Sequence, residues 1–401
     1  MAPTQPRAAV PASVFNTGLA FRPFFWLGSV YLILAFLLWM GFWQGQGLLQ
    51  PLGGMIWWHQ HEMLFGFVSA IIAGFLLTAV QTWTGLPSLK GPSLGALVLL
   101  WLAARFVIAF PMSLDPYWIM AIDGAFLPIV ALIMANLVIR AKKWRNLAFT
   151  PLLLLLACAN LTMHWGQITS NALLTKHSAH LTVWLVITLM VLLGGRVIPF
   201  FTSRALAIEI KPRSVYSERL TLFSTFALCV LFLLQLGSWN SPLWLLSTVL
   251  AIFIITNALR LVAWQPLRCA KHPLLWSLHL SYAFIIIGAV FWLLGVWQIM
   301  PADVGMHALT IGAILALILA MLARVSLGHT GRPLKALPGF SLALGCVFGA
   351  AVLRSLVPLF IPSWTLMSYQ ISLILCVLAF AWFVVHYTKP LWSPRPDHKP
   401  G

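Results

Sequence analysis

The sequence has 401 residues, of which 61% are hydrophobic and only 8% charged, and its formal net charge is +17. No soluble domain could bury so much apolar surface, so the composition excludes a soluble globular protein and predicts an all-α polytopic membrane protein. The positive charge does not indicate nucleic-acid binding, because the basic residues lie mostly in short connectors between apolar segments, where they set membrane topology.

Hydropathy divides the chain into twelve apolar segments of about 20 residues, the length that crosses a hydrocarbon core of roughly 30 Å. The predicted spans are 24–44, 58–83, 92–111, 116–139, 147–168, 176–203, 216–236, 242–264, 273–297, 304–328, 336–360 and 364–387. We expect a single transmembrane domain over 1–401, with tails at 1–22 and 388–401. Residues 1–20 contain no continuous apolar run, so we expect no cleaved signal peptide.

The positions of lysine and arginine predict the orientation in the membrane. Basic residues lie in both tails and in alternate connectors, whereas the opposite connectors carry almost none beyond Lys176. The basic connectors carry Lys90; Arg140, Lys142, Lys143 and Arg145; Arg204, Lys211, Arg213 and Arg219; Arg268 and Lys271; and Arg332 and Lys335. Because such residues accumulate on the cytoplasmic side, both termini are predicted to be cytoplasmic.

The second predicted span opens at the outer face with residues 57–63, Trp-Trp-His-Gln-His-Glu-Met. An ionisable group costs about 2.5–3.5 kcal/mol at mid-bilayer, so these side chains need partners or a metal. His59 and His61 point roughly 200° apart on a helix, so these candidate cofactor ligands should not share one ion. One would bind the cofactor, and the other would orient it, face a second centre or simply lie at the membrane interface. Glu62 is a candidate catalytic proton donor or partner of a metal-bound imidazole, and its alternative role is charge compensation at a helix N-terminus.

Two buried arginines and one acid are predicted at the same depth as these histidines. Arg105 in the third span and Asp123 in the fourth lie in the outer third of the membrane and are expected to form an ion pair. Arg105 and Arg354 could alternatively hold haem propionates, because a guanidinium matches a carboxylate. Apart from Glu218 at the inner end of the seventh span, the inner half of the predicted spans holds no carboxylate, so we do not expect proton pumping.

Four more histidines are predicted near the outer face. His164 ends the fifth span and is a candidate metal ligand, although a lone histidine is usually only packed. His177 and His180 begin the sixth span on one helix face and can hold one ion from adjacent turns, or can simply bond to water and headgroups. His307 opens the tenth span among small residues and is a candidate axial haem ligand, with ordinary packing as the alternative. Neutral imidazole suits copper, haem iron or zinc.

The second, sixth and tenth spans resemble one another. His61 stands five residues before Gly66, and His307 stands five before Gly312. Such similarity, unless it arises by chance in apolar sequence, predicts three copies of a four-helix unit. Three four-helix arcs with histidines on helices two, six and ten are similar in plan to subunit I of haem–copper oxidases. Those enzymes carry a consecutive His-His pair after the seventh helix, which this sequence lacks, so their copper coordination cannot be transferred.

The motifs together resemble the NnrS family of bacterial haem- and copper-containing membrane proteins. The matching pieces are residues 21–25 (Phe-Arg-Pro-Phe-Phe), 58–63, 164–165, 194–196 (Gly-Gly-Arg), 280–282 (Leu-Ser-Tyr), 307–310 and 324–332. The resemblance covers nearly the whole chain. It implies haem b and copper in a bacterial inner membrane and a link to nitric oxide metabolism and nitrosative stress. It does not assign a metal to a particular histidine, and no CxxC pair supports covalent haem or a thiolate zinc site.

The resemblance leads to three functional hypotheses. The first is an oxidoreductase that reduces nitric oxide to N2O at an outer metal centre, with Glu62 helping to deliver periplasmic protons. Its electrons would come from quinol or a periplasmic redox protein, since no electron-carrier domain is present. The second is a non-catalytic protein that binds nitric oxide or holds metal under nitrosative stress. The third is a secondary transporter, for which twelve spans are common, although transporters usually carry polar residues near the midplane.

Overall fold

A computed structural model describes residues 18–210 and 213–397, and apart from short connectors these residues are helical. Twelve helices in this part of the chain are long and apolar enough to cross a membrane. They are α1 (Phe21–Trp43), α2 (Gly54–Thr84), α3 (Gly91–Ala109), α4 (Pro116–Arg140), α5 (Trp144–Ile168), α6 (Ala172–Leu206), α7 (Val215–Leu236), α8 (Leu243–Ala263), α9 (Pro273–Val296), α10 (Ala302–His329), α11 (Phe340–Phe360) and α12 (Pro362–Trp392). The predicted fold class is confirmed: the chain is a multi-pass membrane protein.

The observed helices begin and end within five residues of the predicted spans, and the largest difference is at the end of α12. That helix continues to Trp392, because its last turns pack on α1. Trp26 donates a hydrogen bond to Thr388 (2.8 Å) and meets Trp392 edge to face, with ring centroids 5.6 Å apart. Hydropathy cannot detect this packing. Most of the predicted N-terminal tail and residues 398–401 lie outside the described residues, and the single domain stays a prediction.

Several helix ends follow local sequence signals. The Asp115 carboxylate caps α4 by accepting a hydrogen bond from the backbone N–H of Tyr117, and the Asn171 side chain caps α6 by accepting one from Leu174. Helix α2 ends at Gly85, whose φ of +73° is the left-handed conformation in which glycine is favoured. These signals set where polar connectors replace apolar spans.

Helix packing follows the predicted period of four. In each set of four consecutive helices, the second helix packs on the fourth. Helix α2 contacts α4, α10 contacts α12, and Arg260 of α8 donates a hydrogen bond to the backbone oxygen of Val191 in α6 (2.9 Å). The sets join where α4 meets α5, α8 meets α9 and α12 meets α1. This arrangement supports three four-helix units.

The second helices of the three units form the centre of the bundle. In their most apolar windows, 78% of residues of α2, 72% of α6 and 78% of α10 are buried, against 33–50% in the other nine helices. The outer helices expose large apolar side chains instead, such as Leu132 of α4 and Phe223 of α7. We call the predicted periplasmic end of the bundle the outer end, and the predicted cytoplasmic end the inner end.

Two of the central helices change to a π-helix at matching positions. The π segment Glu62–Val68 follows His61 in α2, and the π segment Ala308–Leu315 follows His307 in α10. Single π turns are rare and occur mostly at functional sites, because they shift the face on which side chains emerge. Their shared placement directly after a histidine agrees with the internal similarity of these two spans.

Candidate functional site

A buried polar cluster joins α2, α4 and α5 at the outer end. The Nε2 atom of His61 lies 3.2 Å from Oδ2 of Asp123, and Nε2 of His164 lies 3.1 Å from the same oxygen. Asn160 donates a hydrogen bond to that oxygen (2.7 Å), and its own Oδ1 lies 2.9 Å from Nε2 of His61. All four residues are at most 3% exposed. We call these four residues, with Glu62 and Arg105 described below, the outer cluster.

Three members of the outer cluster could hold a metal ion. One ligand atom each from His61, Asp123 and His164 lies within 4.8 Å of the others. Two ligand atoms bonded at about 2.0–2.2 Å to one ion lie at most about 4.4 Å apart, and the distances of 3.2 Å and 3.1 Å from Asp123 to the two imidazoles fit this limit. Copper, zinc or iron accepts these ligand types. Trp57 stacks on the His61 ring at 4.6 Å and meets the His164 ring edge-on at 5.2 Å, which fixes both imidazoles.

Arg105 links the two acids of the outer cluster. It donates one hydrogen bond to Oε2 of Glu62 at 2.7 Å and another to Oδ1 of Asp123, so the ion pair predicted between Arg105 and Asp123 is present. The hydroxyl of Tyr31 also donates to Oε2 of Glu62. The other oxygen of Glu62 lies 2.9 Å from Nδ1 of His61. Glu62 therefore connects a tyrosine, an arginine and a candidate metal ligand.

The charges of the outer cluster do not balance when its histidines are neutral. Glu62 and Asp123 contribute two negative charges and Arg105 one positive charge, which leaves a net charge of −1 in this buried group. An uncompensated charge in a membrane interior costs several kcal/mol. A proton or a metal cation bound at the imidazoles would neutralise it. The electrostatics therefore favour a cation at the point where the ligand atoms converge.

Gly66 leaves room for the contact between Glu62 and Arg105 in the outer cluster. A Cβ atom at this position would lie 2.5 Å from Oε2 of Glu62 and 2.7 Å from Nη1 of Arg105. We therefore expect Gly66→Ala to separate Glu62 from Arg105, to lower the free energy of unfolding by about 1–3 kcal/mol and to lower the metal content of the purified protein. The matched control is Gly95→Ala in α3, where a Cβ meets nothing within 4 Å. Equal metal content and stability in the two variants would contradict the prediction.

A second group is formed at the outer end by His59 of α2, His307 of α10 and Arg354 of α11, which are near enough to interact electrostatically. The His59 ring stacks on Trp39 at 4.3 Å, and its buried Nδ1 has no hydrogen-bond partner among the described residues. His307 donates from Nδ1 to the backbone oxygen of Asp303 (2.8 Å), which leaves a lone pair on its Nε2. Two imidazoles from different helices are thus available to a metal or to haem iron.

Arg105 and Arg354, the two predicted partners of haem propionates, differ in the hydrogen bonds that they already make within the protein. Both terminal nitrogens of Arg105 already donate to protein carboxylates. The guanidinium carbon of Arg354 lies 3.7 Å from the centroid of the Tyr369 ring, and its Nη1 lies 3.4 Å from Oδ2 of the half-exposed Asp303. Arg354 therefore has more capacity to bind a further carboxylate.

His177 and His180 lie apart from both groups, where α6 meets α7 and α9. His177 donates to the backbone oxygen of Gln235 (2.9 Å), and the His180 ring meets Trp292 edge-on at 5.0 Å. In the described part of the chain, no group of three potential ligands includes either residue. A shared ion at this pair stays a prediction.

Sequence reasoning missed three polar contributors to these networks. Asn160 belongs to the outer cluster and Tyr31 contacts it, but uncharged polar residues are common in membrane helices and carry little signal. At the inner end, the buried Arg260 of α8 pairs with Glu218 in the first turn of α7 and contacts the hydroxyl of Tyr282 at 3.2 Å. An arginine inside a predicted span, which needs a partner, was the available signal for this network.

Comparison with known proteins gives one match. A family model described as NnrS protein matches residues 16–395, nearly the whole chain. The matched range includes all twelve helices, the outer cluster and the pair formed by His59 and His307. A search of curated proteins finds no match.

Proposed function

The chain belongs to the NnrS family, which is linked to nitric oxide metabolism, and from this premise we propose that it is a haem- and copper-containing protein of the bacterial inner membrane that reduces nitric oxide. The observation that carries the proposal is the grouping of four outer histidines from three helices. His61 and His164 converge with Asp123, and His59 of the same helix as His61 lies near His307. Both groups lie at the end of the bundle that the charge distribution predicts to face the periplasm.

We assign copper to the outer cluster and haem b to the second group. His61, His164 and Asp123 offer two imidazoles and a carboxylate within 4.8 Å of one another, a set that suits a copper ion but has no room for a macrocycle. His59 and His307 come from separate helices, so a planar group can lie between them, with Arg354 beside it for a propionate. The chemistry that these metals supply when bound is the binding and reduction of nitric oxide.

The protein's own residues would deliver the protons. Joining two nitric oxide molecules into N2O and water consumes two electrons and two protons. The hydrogen bonds from Tyr31 to Glu62 and between Glu62 and His61 form a path that reaches the candidate copper ligands. Arg105 holds Glu62 in place through its 2.7 Å bond. We propose that protons enter from the periplasm and that quinol or a periplasmic redox protein supplies the electrons.

The test begins with purification followed by metal analysis and a spectrum of the dithionite-reduced protein. Copper together with a haem b spectrum supports the cofactor assignment, whereas their absence would leave transport as the better hypothesis. Anaerobic nitric oxide consumption with N2O detection then tests turnover. A nitrosyl spectrum without N2O formation would identify a nitric oxide binder instead of a reductase.

The two groups of histidines should lose their cofactors separately. We expect His59→Ala and His307→Ala to remove the haem spectrum while copper remains, and His164→Ala to remove copper while haem remains. The control is His386→Ala at the inner end, whose Nδ1 donates to the backbone of its own helix at Trp382 (2.9 Å). Metal analysis and reduced spectra of the four variants check this. Loss of haem in His164→Ala with copper intact would reverse the assignment.

A further inference from the structure

A partly open apolar cavity lies between the three central helices. Helices α2, α6 and α10 leave a space of about 100 Å³ between them, lined by residues in the ranges 68–76, 186–198 and 314–322 and by Phe25 of α1. Every side chain in this lining is hydrophobic, and Gly194 contributes only its backbone. A water molecule inside would therefore find no side-chain hydrogen-bond partner.

The cavity begins just inward of the two histidine groups. Val68, the last residue of the π segment of α2, follows His61 by seven positions, and Ile314 in the π segment of α10 follows His307 by seven. At about 1.5 Å per helical residue, the outer edge of the cavity is roughly 10 Å from the histidines. The helices that carry His61 and His307 thus continue directly into its lining.

A cation–π contact lies at the inner end of the cavity. Val197 and Met321 line its inner part, and Phe201 and Arg324 follow them by one helical turn on the same two helices. The guanidinium carbon of Arg324 is 3.9 Å from the centroid of the Phe201 ring, and Arg324 is buried. This pair lies between the cavity and the inner surface of the protein.

We propose that the central cavity is a binding site for small apolar gas molecules and that it holds nitric oxide within reach of the outer histidines. Apolar cavities of about 150 Å³ stay dry and take up xenon or benzene, so a slightly smaller one suits a diatomic gas. The identity of the gas rests on the proposed function, whereas the site itself does not.

Xenon tests the site without any nitric oxide chemistry. In crystals pressurised with xenon, we expect xenon density between α2, α6 and α10. Leu189→Trp, which fills the cavity, should abolish that density, and Leu189→Ala should increase it. The matched control is Leu132→Trp, which places the same side chain at a lipid-facing position that is 66% exposed. The gas-binding site would be rejected if the cavity of the native protein held ordered water or an acyl chain. Xenon density that persists in Leu189→Trp would also reject it.

Nitric oxide binding tests the role of the site. After flash photolysis of the nitrosyl protein, we expect nitric oxide to rebind to the haem several-fold more slowly in Leu189→Trp than in the native protein. The haem spectrum should be unchanged. Unchanged rebinding despite loss of xenon would overturn the role of the cavity in holding nitric oxide. If the protein forms N2O but binds no xenon, the gas-binding site is rejected and the proposed reductase function stands. If the protein binds xenon but gives no nitrosyl spectrum, the gas-binding site stands and the proposed function is rejected.

Discussion

Arg105→Met should be among the most destabilising single substitutions in this protein. It would leave the carboxylates of Glu62 and Asp123 buried beside each other without the cation that now bridges them. Removing one partner of a buried ion pair costs about 3–5 kcal/mol, because the other charge stays desolvated. Chemical or thermal unfolding in detergent measures the loss.

A double variant separates this electrostatic cause from lost packing. Glu62→Gln removes one of the two stranded charges, so Arg105→Met combined with Glu62→Gln should be less destabilised than the sum of the single variants. As a control, Arg395→Met breaks a partly exposed ion pair with Asp397 at the inner end and should cost about 0–1 kcal/mol for that pair. Strictly additive losses at Arg105 and Glu62 would show that the two charges do not interact.

Asp123→Asn should abolish metal binding at the outer cluster. Asp123 supplies the only carboxylate among the three converging ligands, and its Oδ2 lies 3.1 Å from Nε2 of His164. The substitution also removes the excess negative charge, because Glu62 and Arg105 then balance. Disturbing residues that only orient a ligand lowers metal affinity by about 10–100-fold, so losing a ligand should exceed that range.

Copper-to-protein ratios and competition with a chelator measure the effect, and the haem spectrum should not change. The matched control lies on the same helix: Asp115 caps α4, and asparagine caps a helix about as well as aspartate. Asp115→Asn should therefore keep its copper. Full copper occupancy in Asp123→Asn would mean that the outer cluster is a structural hydrogen-bond network with no resident metal.

Twelve spans could be predicted from the sequence because a membrane helix needs a continuous apolar run, and that run is read directly from hydropathy. Helix geometry also separated His59 from His61, which now lie in different groups. The π segments could not be predicted, because their residues are mostly apolar and give no periodic signal. The pairing of Glu218 with Arg260 was hidden for another reason: an acid in the first turn of a helix already has a role there.

The separation of His59 from His61 by one residue has a consequence for how the two groups communicate. Both groups share α2, so the gap between them is fixed by a few covalent bonds of one rigid backbone segment. A movement of the connecting loops cannot widen the spacing of His59 and His61. If each group binds a metal, tunnelling between them would be short and constant, and the pair would behave as one redox unit instead of two independent sites.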